Sequence, residues 1–242
     1  LPKAVTFALL SLTLPAAALA QADAPPATAE SAPAASQMTP EQIAAFNAAI
    51  TTFTAGQTAQ QAGDNATAAA KYEEALPAIR AAVAAQPDNI DNVGFLANVL
   101  YADAAAQGAL GKVDQLVALF AESVPHWRKL TQAKPDDEAS RNLFAGVLTQ
   151  LGNAKLGAQD KAGADPLYDE AVVLARKTVA AKPNDPAAKN LLLAALIGQS
   201  QTANDPKVLE EALAMGKAML ADGTIDGVNK PSIEIMTGAK AG

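Results

Sequence analysis

Side-chain chemistry requires a nucleophile, a base or a metal-binding set held at short range, and few residues of this chain could supply one. The chain has no cysteine and a single histidine, His126, which precedes the only tryptophan, Trp127. A zinc site needs several nitrogen or sulfur ligands, and His126 has no second histidine to share a metal with. Nor does the sequence offer it an orienting partner for base catalysis, so His126 is read as packed or solvent-facing and Trp127 as filling between helices. Acidic neighbours stand at Glu73-Glu74, Asp136-Asp137 and Glu210-Glu211. Adjacent residues on a helix do not face each other, so none of these is an acid/base pair; Asp136-Asp137, after Pro135, reads as a helix cap. "LGN" and "AGAD" are turns between helices, and no Gly-rich phosphate loop appears. The expectation is a protein without catalytic residues, metal or cofactor.

A second set of polar residues is more regular. Asn98 and Tyr101, then Arg141, Asn142 and Gln150, then Lys189, Asn190 and Gln199 interrupt otherwise apolar runs. Arg141-Asn142 and Lys189-Asn190 stand at a spacing of 48, so they superpose if the backbone repeats at that interval. Arginine and lysine would offer cationic contacts, and asparagine would offer hydrogen bonds to a peptide backbone.

The elements that must position them carry the same interval. "AQPDN" at 85–89, "AKPDD" at 133–137 and "AKPND" at 181–185 place Pro87, Pro135 and Pro183 at steps of 48. In the same register Tyr72, Phe120 and Tyr168 correspond, as do Glu74, Glu122 and Glu170. Leu96, Phe144 and Leu192 form another column, and Leu100, Leu148 and Leu196 a fourth. Alanine-rich stretches with few β-branched runs argue for helix throughout. Thr39-Pro40 with Gln42 opens the first helix as a capping box, and Ile43, Phe46, Ile50 and Phe53 follow at helical spacing. Asp64-Asn65, Asp165-Pro166, Asp185-Pro186 and Asp205-Pro206 read as further starts. Eight helices are predicted near 40–62, 65–85, 89–107, 112–133, 138–158, 165–181, 186–202 and 206–221. Pro77 and Pro125 fall inside two of them, where proline costs about 3 kcal/mol; a kink and a break are both open. No single hairpin could bury its apolar face, but stacked hairpins can, which makes an α-solenoid.

"AGDNATAAAKYEEAL" at 62–76 resembles the tetratricopeptide repeat, through Gly63-Asp64 between two helices, Ala68 at the crossing, and Tyr72 and Ala75 beyond it. "AGADPLYDEAVVLA" at 162–175 is similar, and "DPKVLEEALAMGKAML" at 205–220 is a shorter relative. The repeat of that family is usually about 34 residues. Here it is 48, an excess close to two turns on each of two helices. The family's Trp and Leu-Gly signature of the first helix is poorly kept. The resemblance spans residues 40–221 and implies an all-α fold, a right-handed α-solenoid of about four stacked antiparallel helix pairs. It also implies that first helices line a concave groove for peptides, which would put the polar set above on a binding face.

The flanks complete the organisation. Residues 1–20, with Lys3, an apolar run and "ALA" at the end, read as a secretory signal peptide cleaved before Gln21, leaving no membrane span. Residues 21–38 are Ala-, Pro- and Ser-rich and read as a flexible linker. Residues 39–221 form the repeat domain. In the tail, 222–242, Ile225, Val228, Ile233, Ile235 and Met236 could cap the last repeat or dock onto a partner. The net charge is −7, with no basic stripe for phosphates, so a nucleic-acid partner is not expected. The function expected is an exported, periplasmic scaffold or adaptor for a peptide or protein. The alternative is a module that closes on a small solute, recognisable by a deep apolar pocket with a few convergent polar groups.

Overall fold

The computed structural model describes residues 37–238, so the expected signal peptide and nearly all of the linker lie outside the described residues. Among the described residues the structure is all-helical: α1 (Pro40–Gln61), α2 (Asn65–Ala85), α3 (Ile90–Ala109), α4 (Val113–Ala133), α5 (Glu138–Gly157), α6 (Lys161–Ala181), α7 (Pro186–Gln199), α8 (Pro206–Ala221) and α9 (Lys230–Thr237). Both ends of α2 recur in α4 and again in α6 at the interval read from the sequence, and the start of α3 recurs likewise in α5 and α7. The first five helices lie within about one half-turn of their predicted spans at either end.

The frame comes from local hydrogen bonding. Thr39 and Gln42 close the expected capping box, Gln42 N donating to Thr39 Oγ1 at 3.2 Å and Thr39 N to Gln42 Oε1 at 2.8 Å. Asp64, Asn89, Asp137, Asp160, Asp185 and Asp205 each accept from backbone N–H groups of the first turn they precede, filling donors that no helical carbonyl can reach. Within the hairpins, Gly63, Gly111 and Gln159 take positive φ, at 81°, 75° and 64°. Their N–H groups donate to the carbonyls of Gln60, Gly108 and Leu156. The turn is therefore one conformation written three times.

Packing follows chain order. Helices pair as α1·α2, α3·α4 and α5·α6, then α2·α3, α4·α5 and α6·α7, with α5 also meeting α7. The aromatic and aliphatic columns that recur in the sequence are all buried: Tyr72, Phe120 and Tyr168; Leu96, Phe144 and Leu192; Leu100, Leu148 and Leu196. Tyrosine fits because glycine faces it. A Cβ on Gly56 would stand 2.6 Å from Tyr72 Cε1, and one on Gly152 the same distance from Tyr168 Cε1, closer than atoms pack. Outside the core an ion ladder climbs from hairpin to hairpin: Arg80–Glu122 at 2.7 Å, Arg128–Glu170 at 2.7 Å and Arg176–Glu211 at 2.6 Å. Each exposed pair contributes under about 1 kcal/mol, yet all three tie successive even-numbered helices.

Two details correct the sequence reading, at α6 and α7, and two bear on points it left open. Helix α6 begins at Lys161 with Asp160 as its cap, because the turn set by Gln159 places the start there; Pro166 then sits inside the helix, where it forfeits one early i→i−4 bond. Pro77 and Pro125 do not break their helices, since α2 and α4 run through them. Helix α7 ends at Gln199 rather than near 202, shortening the last hairpin. The tail contains α9, whose Ile233 is fully buried and packs where Gly216 leaves room. Within the tail Ile233 thus covers α8, while Val228 and Ile235 stay exposed.

Candidate binding groove

Helices α3, α4, α5 and α7 and the tail line a cavity of about 430 Å³. Tyr101 of α3 and Leu116 and Phe120 of α4 form one end. The floor is Leu143, Gly146 and Val147 of α5, and the far wall is Leu191 and Ala194 of α7. Asp226, Val228 and Asn229, from the segment between α8 and α9, close the remaining side. Asn142, Thr149, Gln150 and Asn190 join Asp226 and Asn229 as polar groups in a mostly apolar lining.

The structure divides the predicted site residues in two. Tyr101, Asn142, Gln150 and Asn190 line this cavity; Asn98, Arg141, Lys189 and Gln199 do not. Arg141 is only 8% exposed. Its Nε donates to Thr178 Oγ1 at 3.1 Å and its Nη1 to the Pro135 carbonyl at 2.8 Å, so the guanidinium fastens α5 to α6 and to the turn before α5. Asn98 Nδ2 donates to the Gly94 carbonyl on its own helix, and Gln199 Nε2 donates to Asp169 Oδ1 at 2.6 Å. Lys189 is partly exposed.

Among the lining residues, Asn142 and Asn190 occupy equivalent positions with different freedom. Asn142 Oδ1 accepts from Thr178 Oγ1 at 2.6 Å, and Asn190 Oδ1 accepts from Asp226 N at 2.9 Å. Thr178 and Asp226 are themselves equivalent under the repeat, at a spacing of 48. Asn190 is then saturated: its Nδ2 donates to the carbonyls of Pro186 and Thr224, and Asn229 Nδ2 donates to its backbone carbonyl. It anchors the tail. The Asn142 Nδ2, the Gln150 amide and the Tyr101 hydroxyl have no hydrogen-bond partner among the described residues. Tyr101 stacks on Phe120 with ring centroids 5.9 Å apart. Burial raises its hydroxyl above the ordinary tyrosine value, so it is held as a neutral donor.

Sequence reasoning missed the contributions of α4 and the tail. The tail was within reach of the interval, because Asp226 follows Thr178 at the same spacing as the prolines. His126 and Trp127 stay outside the groove. Burial lowers the His126 pKa, and Trp127 is fully buried core. Among the described residues no cluster of three or more His, Asp or Glu could hold a metal ion, and no helix is long and apolar enough to cross a membrane. No protein-family model and no curated protein matches the chain.

Proposed function

We propose that this chain is a non-enzymatic scaffold or adaptor, tetratricopeptide-like in its repeat, which takes a peptide segment of a protein partner into the groove of its odd-numbered helices. The observation that carries the reading is an apolar cavity edged by uncommitted amide and hydroxyl groups. An apolar anchor side chain of the peptide fills the space over Leu143, Val147 and Leu191, while Asn142 and Gln150 meet its backbone. Burying one such side chain contributes about 1.5–3 kcal/mol, the usual scale of an anchor residue. The signal-like character of residues 1–20 supports export, which would set the encounter in the periplasm.

Gly146 provides the test. It lines the cavity, and a Cβ built on it meets nothing within 4 Å, so Gly146→Phe fills the groove without disturbing the core. Peptides selected by display on the full chain should share a large apolar residue and lose affinity by about tenfold or more on the variant. Undiminished binding would refute the groove. A second reading, uptake of a small apolar molecule, is favoured by one observation: the tail walls the groove into a pocket of ligand size. It is distinguished by a thermal shift with a single compound and no selectable peptide.

A further inference from the structure

A second cavity, of about 340 Å³, opens between α2, α3 and α4, away from the groove. Its polar lining is Glu73 and Arg80 of α2, Asp103 and Gln107 of α3, and Gln115 of α4. The repeat shows what packing alone would put there. Asp103 corresponds to Ala55 and Leu151 in the neighbouring hairpins, and Gln107 to Ala59 and Lys155. The carboxylate replaces apolar residues, and the amide stands where the frame varies between alanine and lysine; both are buried here, and buried polar groups are costly unless paired.

They are not fully paired. Asp103 and Gln107 are each 1% exposed. Gln107 Nε2 donates to Glu73 Oε1 at 2.7 Å and to Asp103 Oδ1 at 3.1 Å, which brings both carboxylates around one amide. The Gln107 Oε1, in contrast, is buried and accepts no hydrogen bond. Arg80 does not supply the missing donor to the carboxylates by ion pairing, since its guanidinium is bidentate on Glu122 at 2.7 and 2.9 Å. Neither Glu73 nor Asp103 forms an ion pair among the described residues. The cavity therefore has acceptors in excess and lacks a compact cationic donor. An ammonium group carries three N–H donors and no acceptor, matching three acceptor side chains.

We propose that this cavity binds a primary ammonium group, held by Glu73, Asp103 and the carbonyl oxygen of Gln107. Leu76 and Leu119 line the same cavity and receive the alkyl stem. The ammonium comes from a free alkylamine or from a lysine side chain of a partner, which share this chemistry. Burial first, and the Glu73 charge with it, lift the Asp103 carboxyl to about 6 against the opposing Gln107, Arg80 and Lys112; Tyr72 of α2 is the remaining titratable neighbour that interacts with it. Binding is accordingly tighter above that value, where the carboxylate is ionised, than below it.

Calorimetric titration of the full chain at about pH 8, above the Asp103 value, tests this with n-butylammonium chloride and with Nα-acetyl-lysine methylamide. Saturable binding of either supports the site, and the tighter of the two names the source. Glu73→Gln, at an exposed residue, should weaken binding about tenfold, and Asp103→Asn at least as much, with helical circular dichroism unchanged. Absence of binding by both amines overturns the proposal. Saturation by calcium chloride in place of the amines overturns it too, as does amine binding that persists undiminished in the double variant.

Discussion

In the second hairpin, α3 and α4 run Ile90–Ala109 and Val113–Ala133; in the third, α5 and α6 run Glu138–Gly157 and Lys161–Ala181. Every boundary is displaced by the same interval, and the contents differ at almost every interesting position. Trp127 in one stands where Ala175 stands in the other, and Asp103 where Leu151 stands. Gly94 lies against Leu130, a Cβ there being 3.2 Å from Leu130 Cδ1, whereas the equivalent Asn142 accepts a hydrogen bond from Thr178. Caps and turns, which depend on backbone donors, set the frame. Side chains of the two proposed sites are written over it, apolar in one hairpin and polar in the next.

The largest expected effect separates the two hairpins by volume. Trp127 is fully buried, while its counterpart is alanine, so the second hairpin depends on a bulk the third does without. Trp127→Ala should cost about 3–5 kcal/mol, read from urea unfolding followed by helical circular dichroism. A loss under about 1 kcal/mol would mean that the neighbouring hairpins close over the space, and the comparison would fail at its strongest point.

Next in size is the carboxylate that the second hairpin buries where the third has Leu151. The Asp103 carboxyl sits at about 6 in the folded chain against an ordinary 3.8. Below the ordinary value both folded and unfolded chains hold the proton, and nothing is lost. As the pH rises to the folded value, the unfolded chain releases its proton first, so stability falls, by roughly 3 kcal/mol. Asp103→Asn keeps the acceptor for Gln107 and should remove that fall. At about pH 8 it should be more stable than the parent by a similar amount. The difference between the two pH–stability curves isolates this group, and coincident curves would show that the carboxyl is not desolvated.

The same comparison explains what the sequence made legible. Hairpin boundaries could be read because they rest on local signals: Pro87, Pro135 and Pro183 after helices, and short acidic or amide residues before them. The start of α6 is misplaced in the sequence reading because Asp165-Pro166 imitates a cap, while the true cap, Asp160, follows a glutamine where the other turns have glycine. The interval from Asp64 through Lys112 points to Asp160; the local mimic outweighs it. The groove was half legible. Asn142, Gln150, Asn190 and Tyr101 stand out as polar residues in apolar runs. Arg141 stands out equally, yet it is consumed by Thr178 and Pro135, because periodicity gives a helix face and not the partner waiting there. Asp103 and Gln107 do not stand out, since their burial arises from α2 and α4 closing over them.

The smallest effect concerns the turn itself. Gln159 has φ 64°, beside 81° at Gly63 and 75° at Gly111, so a residue with a Cβ is held in the conformation its two counterparts reach as glycine. A left-handed backbone costs a non-glycine residue about 1–2 kcal/mol, and glycine returns part of that gain through its larger unfolded-state freedom, about 0.4–1 kcal/mol. Gln159→Gly should therefore stabilise the chain by roughly 0–1.6 kcal/mol, as a higher urea midpoint with unchanged slope. Gly111→Gln should shift the midpoint down by a similar amount. If only the second change has an effect, the Gln159 side chain is making up for its strain in the third hairpin. The two turns would then share a shape without sharing an energy.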